Sequence, residues 1–290
     1  MRIIRALLIV LLLSSQALAE KLPVWEIAGT SNRVMLMGSI HFLRASDYPL
    51  PAGMNAAYEQ ADQLYMEIDM DALDPLASQG VLMSMGTSDR PLSESLSADA
   101  YAEASRRATD LGVPLTLFEQ FEPWFAALSI TQLRMMQLGF DPSWGVETQF
   151  MSKARTDGKT ISGLETLEQQ LSFLDQLDAS TQEQFLLQSL EDAAIIEQQV
   201  DSIVSAWRAG DGAALEALML EDLNAAPKLA DALLVQRNRN WISQIIRLLD
   251  QPDNYLVIVG AMHLVGPDSV VTMLEERGLD VIQLSPADLR

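Results

Sequence analysis

Two segments at opposite ends of this chain carry the same local pattern, and if both matter the fold must bring its ends together. Val-Met-Leu-Met-Gly-Ser-Ile-His, from Val34 to His41, and Leu-Val-Ile-Val-Gly-Ala-Met-His, from Leu256 to His263, superpose without a gap. Each is an apolar run of strand type, then Gly, two residues and His, and these are the only two His in 290 residues. In an α/β sheet the carboxyl end of a strand is where ligands bind, and Gly there lets the chain turn sharply and come close to another group. Two such edges side by side would aim two imidazoles into one crevice. A lone His after a strand is usually a satisfied loop residue. Two in one frame are hard to explain by packing; the plain alternative is a duplicated βα unit whose His only order loops or cap helices.

The rest of the chain fits this frame. Val24 to Thr30 and Val34 to Ser39 flank a Ser31-Asn32 turn and read as a hairpin. A helix near Gly53 to Ala61 leads to Gln63–Met70, where Leu64, Met66, Ile68 and Met70 alternate with Tyr65, Glu67 and Asp69, the period of a strand. From about residue 71 to 249 the pattern is mainly helical, with one short strand-like run at Thr160 to Leu164. α/β order returns with a buried-type strand at Tyr255 to Gly260, a helix from Pro267 to Arg277 stopped by Gly278, and a last strand at Asp280 to Leu284. The expected fold is α/β: a mixed central sheet from the N- and C-terminal segments with a large helical insertion. No Pro/Gly/Ser-rich linker interrupts residues 20–290, which are expected to form a single domain.

Composition narrows the function. Forty Asp and Glu against 19 Lys and Arg give a formal charge of −21, which repels nucleic acid and anionic lipid. With no Cys there is no disulfide framework, no Cys-ligated zinc and no thiol nucleophile. Arg2 and Arg5, the apolar run Ala6 to Leu13 and Ala17-Leu18-Ala19 form the three regions of a signal peptide over residues 1–19. Its apolar run is short for an anchor, although an uncleaved one is the alternative. Cleavage removes two Arg and no acid, leaving 17 minus 40, or −23. An exported protein is expected, periplasmic or extracellular, with no stable membrane anchor.

Two neutral imidazoles attract a divalent metal, and a catalytic site adds a carboxylate. Glu67, in a strand among apolar residues, needs a partner if ionised. His41, Glu67 and His263 are thus the expected metal ligands, the metal polarising a carbonyl and acidifying a bound water. Glu147 and Glu165 each follow a Gly-apolar pair at an element boundary and are candidates for the base; the plain alternative is an acid favoured in a helix's first turn. Arg237 and Asn238 could stabilise an oxyanion or bind a substrate carboxylate, with a salt bridge as the alternative. There is no phosphate loop and no Gly-x-Ser-x-Gly elbow.

Taken together, Gly38-Ser-Ile-His41, Met66-Glu-Ile-Asp69, Gly145-Val-Glu147, Gly163-Leu-Glu-Thr166, Arg237-Asn238 before Trp241, and Gly260-Ala-Met-His-Leu264 resemble the TraB/GumN family, which includes the Tiki metalloproteases. The resemblance spans almost the whole mature chain. It implies a fold similar to erythromycin esterase and haem-uptake ChaN-like proteins, and a site at the paired motifs with the strand Glu. It also implies peptidase activity supported by manganese or cobalt, as in the Tiki branch, zinc being compatible with the same donors. The expectation is an exported metal-dependent hydrolase acting on a peptide or protein substrate. Two alternatives are a non-catalytic haem- or metal-binding protein using the same crevice and a metal-free interaction module.

Overall fold

The computed structural model describes residues 21–28, 31–219 and 226–290; the expected signal peptide lies outside the described residues. Six strands form one sheet in the order β4-β3-β5-β2-β1-β6. They are β1 (Val24–Ile27), β2 (Val34–Ser39), β3 (Gln63–Ile68), β4 (Ile161–Glu165), β5 (Tyr255–Gly260) and β6 (Val281–Gln283). β2, β5, β3 and β4 are mutually parallel, whereas β1 pairs antiparallel with both β2 and β6. The sheet is mixed and draws five of its strands from the two ends of the chain, as expected. The sixth, β4, comes from within the helical middle and forms the edge beside β3.

β2 and β5 are neighbours and lie buried along their whole length, with helices or loops over both faces. That double cover explains why they read as unbroken apolar runs, whereas β3, whose residues from Gln63 to Met66 are alternately half-buried and buried, reads as an alternating one. Their register sets Gly38 opposite Val259 and Ser39 opposite Gly260, one residue out of step with the alignment of the two motifs. The two motif glycines consequently do different work. A Cβ at Gly38 would lie 3.2 Å from the Ala261 Cα, so this Gly lets the loop after β5 pack onto β2. Gly260 instead faces the functional side chains described below.

Some boundaries are shorter than the sequence pattern suggests. β3 stops at Ile68, and Asp69 turns to accept bonds from the Asp71 and Ala72 backbone, so it caps the turn and does not join Glu67. The helix expected from Pro267 begins at Val270, because Ser269 takes the N-cap and accepts from the Thr272 N–H.

Two helices hold the site in place. Gln236–Leu248 buries Trp241, Ile242, Ile245 and Leu248 against the sheet, the spacing of one helical face. Ala179–Arg208, 30 residues long, packs Leu186 and Leu190 against Ala126, Ala127 and Ile130 of the helix Pro123–Gln137. Its far end is fastened to the sheet by a bond from Trp207 Nε1 to the Gly38 carbonyl, 2.8 Å. No described helix is long and apolar enough to cross a membrane.

Gly38→Val should lower unfolding free energy by about 1–3 kcal/mol, because the added methyls have no room beside Ala261 and the loop must shift. Urea denaturation followed by circular dichroism measures this; an unchanged midpoint would show that the close approach carries no constraint.

Candidate active site

The four parallel strands end on the same edge of the sheet, and each delivers a polar residue there. β3 brings Glu67, β4 brings Glu165, β2 leads to Ser39 and His41, and β5 leads to Gly260 and His263. The sequence candidates separated by up to 222 residues are thereby gathered on one edge, with Arg237 and Asn238 descending from the helix Gln236–Leu248.

Arg237 organises one half of the site. Its Nη2 donates to Glu67 Oε2 and to Glu165 Oε1, both at 2.6 Å, and its Nε donates to Glu165 Oε1 at 2.9 Å. Nη1 donates to the Leu233 carbonyl at 3.1 Å and meets His263 Nε2 at 3.2 Å. Those contacts engage all five N–H groups of the guanidinium. Leu233 lies in a π turn, Asp231–Val235, that runs straight into the Arg237 helix; such turns recur where a helix must aim a functional side chain. The guanidinium, Glu67 and Glu165 side chains are 9 %, 10 % and 5 % exposed, so the charges satisfy one another away from water.

Each carboxylate is further pinned. Glu67 Oε1 accepts the Gly260 N–H at 2.7 Å, and Glu67 Oε2 accepts from Gln170 Nε2 at 3.0 Å. Burial would push the Glu67 carboxyl up, but Arg237, with His263, His41 and the Gly260 N–H, holds it well below the usual carboxylate range. Glu165 also accepts from Gln170 and from Trp241 Nε1, and burial raises its carboxyl despite Arg237. Gln170 was not singled out in the sequence. The signal was the Thr166/Gln169 capping box, which starts the helix Leu167–Asp175 and sets Gln170 in its first turn over the strand ends.

The two histidines differ. His263 is 4 % exposed and packs against Trp241, the ring centroids 4.5 Å apart and the planes tilted by 49°. Asn238 donates through Nδ2 to the Asp268 carbonyl, which leaves its Oδ1 to accept from His263 Nδ1 at 2.6 Å. His263 is thus the Nδ1–H tautomer, with its Nε2 lone pair turned to Arg237. Burial, with the Arg237 charge beside it, pushes its pKa down to about 3.

His41 is the open one. Its side chain is 58 % exposed, and Nδ1 meets Glu147 Oε1 at 2.8 Å. Glu147 arrives there because the helix Val146–Asp157 starts hard against the His41 loop: Val146 N–H donates to the Ile40 carbonyl, and any Cβ at Gly145 would collide with the His41 carbonyl oxygen. Ser39 Oγ donates to the same Glu147 oxygen. The Glu147 carboxylate draws the His41 pKa up to about 9, and His41 and Ser39 in turn keep Glu147 below its ordinary value against the opposing effect of burial. His41 Nε2 has no hydrogen-bond partner among the described residues and faces Gly260. A Cβ at Gly260 would lie 3.5 Å from His41 Nε2, 3.3 Å from Glu67 Oε1 and 3.6 Å from His263 Cδ2.

The expected ligands His41, Glu67 and His263 do converge, but their contacts do not fit a cation bound by all three. Both His263 nitrogens are engaged, Nδ1 with Asn238 and Nε2 with the fixed positive charge of Arg237, although Glu67 Oε1 lies only 3.8 Å from that Nε2. Arg237 and Asn238 have spent their polar groups on Glu67, Glu165 and His263, which makes them positioning residues in this arrangement. Of the two base candidates, Glu147 lies beside His41 and Glu165 beside Arg237.

Two cavities meet at His41. One, of about 330 Å³, runs from Ser39, His41, Arg237 and His263 between the long helix and the π turn. The other, of about 220 Å³, lies between Glu67, Glu147 and Gln170.

With only two imidazoles, proton NMR can follow each one. The His41 ring should titrate near pH 9 in metal-free protein, and Glu147→Gln should bring that midpoint down; His263 should show no titration above pH 5. In the folded protein His41 binds its proton more tightly than at its ordinary 6.5, so its share of stability is complete below 6.5 and fades as pH climbs towards 9. His263 has the opposite sign, its share fading as pH falls from 6.5 towards 3. Two rings titrating together near 6.5 would contradict this asymmetry.

Comparison with known proteins agrees with the sequence motifs. The TraB/PrgY/gumN family model matches residues 23–283. The uncharacterized protein YbaP of Escherichia coli (strain K12) is 26 % identical over 267 residues, covering 87 % of this chain and 92 % of YbaP. YbaP of Shigella flexneri matches to the same extent. An uncharacterized protein of Treponema pallidum (strain Nichols) is 22 % identical over 271 residues, covering 88 % of this chain and 80 % of its own length. No solved structure matches. From the strand-Gly-x-x-His pair to the near-complete span of that match, the chain belongs to the TraB/PrgY/gumN family.

Proposed function

We propose that this chain is an exported hydrolase of carbonyl compounds, esters or amides, in which the His41–Glu147 pair moves the proton. The observation that carries the reading is the open Nε2 of His41. It is held by Glu147 on the ring's far side and turned to the space above Gly260, which Glu67 Oε1 also faces. A water in that space can give its proton to unprotonated His41, and the imidazolium can pass it to the leaving group. Glu147 keeps the ring oriented and stabilises it while charged, the role a carboxylate plays behind a catalytic His. Glu67, fixed by Arg237 and the Gly260 N–H, can accept a hydrogen bond from the O–H that the water keeps, which orients it. A substrate that covers the exposed ring removes solvent and favours its neutral form, which is the form a base must have.

Because Arg237 already engages the His263 Nε2 that a manganese, cobalt or zinc ion would need, the proton steps are assigned to His41 and Glu147. Peptide hydrolysis is one reaction within this class. The finer fold assignment implied by the resemblance, erythromycin esterase/ChaN-like, belongs to the same proposal; its support is the placement of the two motif strands side by side. The case for export is the pattern of residues 1–19.

The test is turnover of an ester, amide and peptide library by the protein purified after export. Activity should persist in EDTA, His41→Ala should lower kcat by about 10²–10⁴-fold with the circular dichroism spectrum retained, and Glu147→Gln should reduce kcat more than it changes KM. Loss of activity on chelation with recovery in manganese would return the metal to the site. A Soret band at one equivalent of added haem would make the crevice a binding site and not a catalytic one.

A further inference from the structure

We infer that the larger cavity receives the apolar acyl group of an amphiphilic ester or amide, with the scissile bond at His41 and the more polar leaving group in the smaller cavity. The inference deepens the hydrolase reading and rests on it for the chemistry, while the fit of the cavity to an apolar chain stands by itself.

The walls make the case. Ile196, Val200, Ile203 and Val204 lie at i, i+4, i+7 and i+8 on the long helix and so form one stripe, the kind a helix normally buries against another element. Here Val200 and Val204 are buried in the core, and with Ile196, Ile203 and the π-turn residues Leu233 and Leu234 they line about 330 Å³ of space. Such a volume lies at the lower end of the roughly 300–1,000 Å³ range of pockets that enclose small ligands. Polar side chains are confined to the end where Ser39, His41, Arg237 and His263 stand.

An extended peptide would bring an N–H and a carbonyl for every residue, each costly to bury without a partner. The long-helix and π-turn side chains that form the walls can bond none of them. A hydrocarbon chain asks for no partner and gains from leaving water. Across His41 the smaller cavity also has apolar wall, from Met66, Ile68, Met70 and Met151, but it carries the hydrogen-bonding side chains Glu67, Glu147, Thr148 and Gln170 as well. His41 lines both cavities, which puts a reacting carbonyl between a side with apolar walls and a mixed side that also offers hydrogen-bonding groups.

The experiment uses p-nitrophenyl esters that share one leaving group and lengthen from acetate through butyrate and octanoate to palmitate, together with calorimetric binding of decanoate to His41→Ala. kcat/KM should rise about fourfold per added methylene until the cavity is filled and then level off. Ile203→Trp should flatten that dependence by occupying the space. Leu233→Gln, which puts an amide in the wall with little change of volume, should flatten it too and serves if the Trp variant does not fold. Decanoate should bind saturably to His41→Ala. A flat or falling series with no decanoate binding would overturn the inference and leave the hydrolase reading intact, as would peptides being cleaved faster than the octanoyl ester. Saturable decanoate binding with no turnover of any ester or amide would uphold the cavity's ligand class and sink the hydrolase reading.

Discussion

The structure turns on Arg237 bridging Glu67 and Glu165 where three elements meet. Taking these charges out of water costs several kcal/mol each, and only close mutual pairing offsets it. Removing the guanidinium would leave two carboxylates facing each other in a buried place, and breaking such a pair typically costs about 3–5 kcal/mol. The interaction ties the ends of β3 and β4 to the helix before β5, so the helical middle is fastened to the sheet at the point where the candidate chemistry sits. It also decides what that point can hold. A guanidinium already occupies the position facing His263 Nε2, and a cation bound there would meet both its charge and its hydrogen bond.

The same constraint divides the labour between two histidines that are equivalent in sequence. His263 is locked between Asn238, Arg237 and Trp241, buried and neutral, and orders the site without an exposed nitrogen. His41 is tethered on one side only, by Glu147, and keeps its other nitrogen for the cleft. The glycines before them differ as well: β2 and β5 are offset by one residue relative to their motifs, so Gly38 and Gly260 do not lie opposite each other; one admits the neighbouring loop and the other opens onto the cleft. The apolar cavity then begins where the polar network ends, and a small molecule could have its reactive carbonyl and its hydrocarbon portion accommodated by adjoining surfaces.

Much of this was legible from residue order alone. Apolar runs ending in Gly-x-x-His identified β2 and β5 and pointed to their adjacency if both His share a site, alternation identified β3, and a charged residue inside that strand implied that Glu67, if ionised, needs a partner. Glu147 and Glu165 were recognisable as candidates because each follows a Gly-apolar pair at an element boundary, and Arg237 and Asn238 because they lie in the helical stretch before the last His strand. Period and composition report what each segment must bury, and that requirement is local. Partnership is not local. Nothing in the order of residues says that Arg237 would engage Glu67 and Glu165, that Asn238 would take one nitrogen of His263, that Gln170 would enter the network, or that Asp69 would turn away to cap a loop. Those outcomes depend on how deep each loop sits and on which buried charge finds another first, quantities set by the packing of the whole molecule. The sequence by itself determined a mixed α/β sheet with two histidines on one edge. Only the tertiary structure decided which histidine is free to act, because burial and the Arg237 charge oppose protonation of one ring and Glu147 favours it in the other.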